Sequence, residues 1–233
     1  MSAPAQYVMG TDVFDGNTEL MIKQEWAGIE CCSFEAKNRY RISQPNGDGE
    51  GAPFLYISED SGCLERICCS VNRSLTLKLH QGASKDGKVL MKMKKPFHIQ
   101  GCICCCRPAF DITDDAETTK IGRIEDPWRC CVMDQKIYNG SGAHVLTTTG
   151  SIWQCGVCCP LCCNISFDVQ RAGKTVASIE KMALSFSECC LKTNRFKIHF
   201  NEVTDAEEKK LVLGSAMLLD LQYFEQNKNN NNS

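Results

Sequence analysis

Most of the chain alternates apolar and polar residues with the two-residue period of half-buried β-strands. The clearest run covers residues 75–80, in which leucine occupies every second position. A second run at 89–94 places apolar residues at 89, 91 and 93, and Asp86-Gly87 between the two runs favours a tight turn. These two runs predict a β-hairpin. Shorter runs of the same kind lie at residues 40–42, 54–57, 121–125, 165–169 and 196–200. The fold is therefore predicted to be mainly β, as an antiparallel sheet or barrel.

The last predicted element is a helix over about residues 205–224. Thr204 and Asp205 can cap it, and Glu207 completes a capping box. Its middle is apolar on every side, so the helix must be surrounded by other parts of the protein. The uncharged stretch 211–219 spans about 14 Å, roughly half of the hydrocarbon core of a bilayer. This length favours burial inside the β-structure over a transmembrane anchor.

The size and charge of the chain fit one globular domain. It has 233 residues, 43% of them hydrophobic, and a net charge of -2. Without an overall positive charge, nucleic acid is not an expected partner. We expect a short flexible segment at residues 1–19, one β-rich domain at 20–225, and a disordered asparagine-rich tail at 226–233.

Cysteine is the unusual part of the composition. The chain contains 18 cysteines, and fifteen of them adjoin another cysteine in the sequence. Neighbouring Cα atoms lie about 3.8 Å apart, below the roughly 4.4–6.8 Å of an unstrained disulfide, so adjacent cysteines rarely bridge each other. The first thirty residues contain no apolar signal segment, so a reducing cytosol is the expected compartment. The cysteine runs are therefore not expected to act as disulfide staples.

One cysteine run follows a group of lysines closely in the sequence, which predicts a membrane anchor. Palmitate on a thiol contributes about 0.8 kcal/mol per buried CH₂, and each lysine near anionic lipid adds about 1 kcal/mol. The predicted acylation sites are Cys102, Cys104, Cys105 and Cys106, followed by Cys158, Cys159, Cys162 and Cys163. The predicted contacts with anionic lipid are Lys88, Lys92, Lys94 and Lys95.

Two other roles for the cysteines stay open. The overlapping Cys-x-x-Cys spacings of the second cluster could present thiolates to a tetrahedral zinc, with Cys155, Cys158, Cys159 and Cys162 as the ligands. The scattered pairs Cys31-Cys32 and Cys189-Cys190 fit small, buried hydrophobic residues.

Covalent catalysis is not indicated. The four histidines are scattered and have no Ser or Cys motif beside them that would pair a nucleophile with a base. The sequence also lacks a phosphate-binding P-loop and a dinucleotide-binding glycine motif. We therefore expect a lipid-translocating or lipid-binding protein rather than an enzyme.

Several motifs, in their order along the chain, resemble the phospholipid scramblase family over about residues 20–225. They are Lys37–Ile42, Ser58–Asp60 with Cys68-Cys69, Leu75–Leu79, Pro96-Phe97, the Cys102–Cys106 run, Ile121–Ile124, Trp128, the Cys155–Cys163 cluster with Phe167–Val169, and Leu219–Glu225. The resemblance implies a Tubby-like closed antiparallel β-barrel around a central hydrophobic C-terminal α-helix. It also implies ATP-independent, calcium-stimulated movement of phospholipids between leaflets, with palmitoylation directing the protein to the cytoplasmic face of the plasma membrane.

The calcium segment departs from the family pattern. In the family it is an Asp-rich strand just before the last helix, whereas here basic residues such as Arg195 and Lys197 replace most acidic positions. Calcium takes roughly six to eight oxygen ligands and is repelled by cations. The candidate ligands that are left are Asn194, Asn201, Glu202 and Asp205, and we expect millimolar affinity or none.

Two functions are therefore expected to compete. The first is a membrane-associated scramblase whose partner is the cytosolic leaflet of a phospholipid membrane. The alternative is a lipid-anchored adaptor that binds lipids or proteins and transports nothing, and a structural zinc-binding module is a third reading. Headgroup preference and protein partners are left open by the sequence.

Overall fold

Twelve antiparallel strands close into a barrel in the described part of the chain. The computed structural model describes residues 12–26, 37–46, 49–62, 72–97, 107–127, 129–191 and 193–225. The strands are β1 (Glu19–Gln24), β2 (Arg39–Asn46), β3 (Gly49–Asp60), β4 (Leu75–Gln81), β5 (Val89–Lys95), β6 (Ala109–Thr113), β7 (Lys120–Glu125), β8 (Val132–Asn139), β9 (His144–Ser151), β10 (Ile165–Arg171), β11 (Lys174–Lys181) and β12 (Arg195–His199). They follow chain order around the barrel, and β1 pairs with β12 to close it. The predicted β-barrel is confirmed.

The predicted hairpin is formed by β4 and β5. Its register places Leu77 opposite Met93 and Leu79 opposite Met91, and these four side chains are fully buried. The alternation read from the sequence therefore reflects an inner wall of leucine and methionine and an outer wall of polar residues.

The C-terminal helix lies inside the barrel, as predicted. Helix α3 (Ala206–Leu219) continues into one π-helical stretch (Asp220–Phe224), and every residue from 211 to 222 is buried. The Asp205 carboxylate caps α3 by accepting a hydrogen bond from the Glu208 backbone N–H at 2.9 Å. The helix thus begins one residue later than a capping box through Glu207 requires.

Polar contacts fix the orientation of α3 against the barrel wall. The Ser215 hydroxyl lies 2.8 Å from the Thr148 hydroxyl on β9 and 2.6 Å from the Gln135 side-chain amide on β8. At the other side of the barrel, the Tyr40 hydroxyl on β2 donates to the Asp220 carboxylate at 2.6 Å. Because buried polar groups need partners, these contacts specify one rotation of the helix.

The folded part of the chain begins before residue 20. Phe14 is fully buried in the core, and the Lys209 ammonium of α3 donates to the carbonyls of Phe14 and Asn17 at 3.1 and 2.7 Å. The prediction of a flexible segment at 1–19 is therefore wrong for residues 12–19. Residues 1–11 and the predicted tail at 226–233 lie outside the described residues.

No helix in the described ranges combines the length and the hydropathy that crossing a bilayer requires.

Gly214 allows α3 to approach the wall closely, so a larger residue there should destabilise the fold. A Cβ at this position would lie 2.6 Å from Ile112 Cδ1 and 2.9 Å from Ile124 Cδ1. We expect Gly214→Val to lower the free energy of unfolding by about 1–3 kcal/mol in urea denaturation, because it overpacks the core. Gly49→Val is the matched control, since its Cβ would meet only the Asn46 carbonyl oxygen at 3.4 Å. Equal stability of the two variants would contradict this account of the packing.

Candidate functional site

The connections between antiparallel strands alternate between the two ends of the barrel. Six of them, β1–β2, β3–β4, β5–β6, β7–β8, β9–β10 and β11–β12, therefore lie at the same end. All 18 cysteines of the chain fall within these six connections. We call this end the cysteine-rich end and the end where α3 begins the opposite end. The groups are Cys31 and Cys32, then Cys63, Cys68 and Cys69, then Cys102, Cys104, Cys105 and Cys106, then Cys130 and Cys131, then Cys155, Cys158, Cys159, Cys162 and Cys163, then Cys189 and Cys190.

The described cysteines are accessible rather than part of the core. Among the described residues, the free thiols of Cys130, Cys131, Cys155, Cys158, Cys189 and Cys190 are exposed. The interpretation of the pair Cys189-Cys190 as buried hydrophobic residues is therefore wrong. Cys31-Cys32 and the predicted acylation sites Cys102, Cys104, Cys105 and Cys106 lie outside the described residues.

Exposed apolar side chains lie at the same end. The large hydrophobic residues that are exposed in the described part of the chain are Trp26, Phe97, Trp153, Val157, Leu161, Phe186 and Leu191. Each of them lies in one of the six connections of the cysteine-rich end. Trp153 and Phe186 are the most exposed, at 81% and 83%. This end of the barrel thus combines thiols with uncovered apolar surface.

The β9–β10 connection is held in a defined shape. It contains the short helix α1 (Cys155–Cys158), which the Gln154 side chain ties to β10. The Gln154 amide oxygen accepts from the Ser166 N–H at 2.7 Å, and its nitrogen donates to the Ser166 carbonyl at 2.8 Å. Gly156 is buried at the base of the loop, where a Cβ would lie 2.6 Å from the Asn164 carbonyl oxygen. The exposed side chains of this loop are therefore presented by an ordered backbone.

The β11–β12 connection carries the second apolar group on helix α2 (Phe186–Leu191). Glu188 is buried there and holds the helix in place. Its carboxylate forms an ion pair with Arg195 at 2.5 Å and accepts from the Ser185 N–H at 2.8 Å. With Glu188 turned inward, Phe186, Cys189 and Cys190 are exposed.

The structure does not assemble the predicted zinc site. Of the four predicted ligands, Cys159 and Cys162 form a disulfide with their Cα atoms 5.5 Å apart. The Cys155 thiol instead lies 3.1 Å from the Cys163 thiol, and hydrogen bonding with this neighbour raises the pKa of Cys155. Among the residues that the structure describes, no three His, Cys, Asp or Glu side chains are grouped as metal ligands.

The predicted calcium ligands are not brought together either. Asn194 precedes β12 at the cysteine-rich end, whereas Asn201, Glu202 and Asp205 follow β12 at the opposite end. The five residues of β12, which span about 16 Å, lie between Asn194 and the other three candidates. Asn194 is also occupied, since its side-chain amide donates to Asp220 at 2.7 Å, and Glu202 pairs with Lys174 at 2.7 Å.

The four predicted lysines do not form one exposed group at the cysteine-rich end. Lys88 is exposed at the opposite end, and Lys92 and Lys94 pair with Glu117 of the β6–β7 turn at 3.4 and 2.5 Å. Lys95 is buried, and its ammonium donates to the Arg73 carbonyl at 3.1 Å. The prediction of Lys95 as a lipid contact is therefore wrong. The strand period contained this information, because Lys95 has the same phase as the inward residues Met91 and Met93.

A family model described as Scramblase matches residues 1–226 of the chain. The chain belongs to the scramblase family. It is 25% identical over 216 residues to phospholipid scramblase 1 of Mus musculus, and the matched region covers 91% of this chain and 62% of the mouse protein. It is 24% identical over 212 residues to phospholipid scramblase 1 of Homo sapiens, covering 89% and 63%, respectively. It is 25% identical over 212 residues to phospholipid scramblase 2 of Bos taurus, covering 89% and 68%.

This scramblase-family chain thus spans less than two thirds of the length of the mouse and human scramblase 1 proteins. No solved structure matches the chain.

A buried cluster of charges lies beneath the cysteine-rich end of this scramblase-family barrel. Arg73 pairs with Glu59 on β3 at 3.1 Å and with Glu225, just after the π-helical stretch, at 2.7 Å. Burial raises the pKa of Glu225, and the Arg73 charge offsets this only in part. Burial alone would raise the pKa of Glu59 as well, but the Arg73 charge and the hydrogen bonds from Arg73, Ser61 and Asn38 together lower it. The cluster fixes the end of the helix to the wall. Sequence reasoning missed it because its members are far apart in the chain.

Lys95 should make the stability of the fold depend on pH. Burial and the neighbouring Arg73 charge lower the pKa of Lys95 from 10.5 to about 8. Between about pH 8 and pH 10 the unfolded chain therefore holds more protons than the folded chain, so the free energy of unfolding rises with pH in this window. We expect Lys95→Met to remove a rise on the order of 1–3 kcal/mol between pH 7 and pH 9.5, measured by urea denaturation.

Lys88→Met is the control for this measurement, because Lys88 is exposed. It should keep the rise that the native chain shows, including any part contributed by the thiols. A Lys95→Met chain whose stability still rises with pH as in the native chain would contradict the assignment.

Proposed function

We propose that this chain moves phospholipids between the leaflets of a membrane without ATP and acts at the cytoplasmic face of the plasma membrane. Its membership of the scramblase family and the names of its relatives support the transport part of the proposal. The observation that carries the attachment to a membrane is that the nine described cysteines lie in connections at one end of the barrel. In the sequence, the other nine also fall between strands that are joined at this end.

Attachment would proceed by S-acylation of these thiols. A cysteine Sγ attacks the carbonyl carbon of a palmitoyl-coenzyme A thioester, a new thioester forms on the protein, and coenzyme A leaves with the cysteine proton. The exposed thiols of Cys158, Cys189 and Cys190 show that the described part of this end presents sulfur atoms to solvent. Stable anchoring takes two signals, and a cluster of neighbouring thiols can supply several acyl chains.

Cys102, Cys104, Cys105 and Cys106 are the proposed principal sites, and Cys158 and Cys163 support them. Cys159 and Cys162 become acceptors once their disulfide is reduced. The reducing compartment predicted for the chain provides this condition. A zinc ion held by Cys155 and its neighbours would compete with acylation for the same sulfur atoms.

Calcium enters the proposal as a weak activator. The oxygen donors nearest to one another among the candidates are Asn201, Glu202 and Asp205 at the opposite end. With so few donors and with Lys174 paired to Glu202, the expected affinity is low.

The second candidate function is a lipid-anchored adaptor that does not transport lipid. The filled interior of the barrel favours it, because α3 packs against the wall so closely that Gly214 leaves no space for a Cβ. A path for polar headgroups through the barrel would require α3 to leave its place. Reconstitution of the pure protein distinguishes the two functions.

For transport, we expect the full chain in liposomes to expose inner-leaflet fluorescent phospholipid to dithionite without ATP. Empty vesicles should lose only the fluorescence of the outer leaflet. Millimolar calcium should raise the rate, and Glu202→Gln should weaken this calcium effect, whereas Glu207→Gln at the same end should not. Quenching that equals that of empty vesicles, with and without calcium, would favour the adaptor.

For attachment, replacement of Cys102, Cys104, Cys105 and Cys106 by Ser should abolish most labelling by an alkynyl palmitate analogue in cells. It should also shift the protein from the membrane to the soluble fraction, because the acyl chains supply the binding energy. Replacement of Cys31 and Cys32 by Ser is the control and should change neither. Unchanged labelling and fractionation of the fourfold variant would remove these sites from the proposal.

A further inference from the structure

We propose that the β9–β10 and β11–β12 connections together form a bilayer-insertion surface that binds phospholipid membranes before any acyl chain is attached. The surface consists of Trp153, Val157 and Leu161 from the first connection and Phe186 and Leu191 from the second. This inference rests on the proposed membrane function and names the part of the protein that first meets the lipid.

The two connections form one continuous surface. Strands β10 and β11 are paired from Ile165 and Lys181 onward, so the two loops start side by side. The loops are also bonded to each other, because the Leu184 N–H donates to the Pro160 carbonyl at 2.8 Å. The Ala183 N–H donates to the Asn164 side chain at 2.8 Å. The five apolar side chains are therefore carried by one ordered unit.

The surface can enter a bilayer without removing water from an unpaired charged side chain. Residues 152–164 contain no charged side chain. In residues 182–191 the single charged residue is Glu188, which is buried and paired with Arg195. Burial of charge is the main cost of moving a loop into an interface, and here that cost is avoided. Trp153 adds a ring that is apolar on its faces and polar at its N–H, which suits the level of the lipid headgroups.

Lipid is the occupant that fits this surface best, because the exposed thiols of Cys158, Cys189 and Cys190 lie among the same apolar side chains. An acyl chain attached to any of these thiols must enter the hydrocarbon core of the bilayer directly beside the sulfur atom that carries it. The neighbouring side chains would then lie at the interface as well. Initial insertion would also hold these thiols at the membrane surface, where a membrane-bound acyl transferase can reach them.

The test uses the full chain made without acylation and vesicles of phosphatidylcholine with phosphatidylserine. We expect the chain to float with the vesicles, and to stay bound in 0.5 M salt because the contact is apolar. The part of the tryptophan fluorescence that Trp153→Phe removes should shift to the blue with lipid and be quenched by brominated acyl chains. Trp153→Asp with Phe186→Asp should weaken binding by at least about 10-fold.

Ala83→Asp with Ala116→Asp is the matched control, because it adds the same charge at exposed positions of the opposite end. It should bind like the native chain, and circular dichroism should show that both double variants are folded. Equal binding of the two double variants would overturn the inference. The inference would also be overturned if iodide failed to quench Trp153 in the absence of lipid, because another part of the chain would then cover the surface. Self-association lost in Trp153→Asp, with no vesicle binding by the native chain, would assign the surface to a second copy instead.

The outcomes also separate this inference from the proposed function. If the native chain bound vesicles but moved no lipid, the proposed transport would be refuted and the insertion surface would be retained. Lipid movement with unchanged binding of the Trp153→Asp and Phe186→Asp variant would remove the insertion surface and leave transport.

Discussion

The structure depends on the burial of a helix that is apolar on all sides. Residues 211–219 carry no charged side chain, so α3 can be stable in water only if other elements surround it. A closed barrel supplies that environment, because the inward side chains of its strands form one buried core with the helix. The helix in turn fills an interior that would otherwise be a cavity. Barrel and helix therefore stabilise each other, and Ser215, Asp220 and Glu225 fix the rotation and depth of the helix through polar contacts.

Closure of an antiparallel barrel also sorts the chain into two chemically different ends. Every second connection returns to the same end, so a residue type that recurs once per two strands accumulates there. Cysteine follows this rule in all six connections of one end. The opposite end carries the capped start of α3, the Phe14 segment and the turn with Asp115 and Glu117. The chemical difference between the two ends thus arises from the strand topology and the spacing of residues in the sequence, and it needs no separate domain.

Local patterns were enough to predict the parts of the fold that depend on local contacts. The β4–β5 hairpin follows from the two-residue alternation of residues 75–80 and 89–94, and burial of α3 follows from its uniform hydrophobicity. Lys95 differs from its prediction because its charge groups it with the neighbouring lysines, whereas its position in the alternation of β5 places it on the inner side of the barrel. The gathering of the cysteines was also readable in principle, since their groups recur once per two strands. The number and order of the strands had to be known first.

Other features could not be predicted from a single sequence. Exposure of Trp153 and Phe186 depends on which neighbours fail to cover them, which is a property of the folded chain. The partnership of Arg73 with Glu59 and Glu225 joins residues that are up to 152 positions apart. The candidate calcium ligands are close in sequence, but the length of β12 separates Asn194 from the others.

The pairing of β1 with β12 affects how the protein can associate with other chains. A sheet with a free edge offers unpaired N–H and C=O groups on which other chains can assemble, and nearby apolar side chains strengthen that tendency. Each of the twelve described strands is paired on both sides. The barrel can therefore display tryptophan and phenylalanine in water while offering other copies no backbone template for amyloid-like growth.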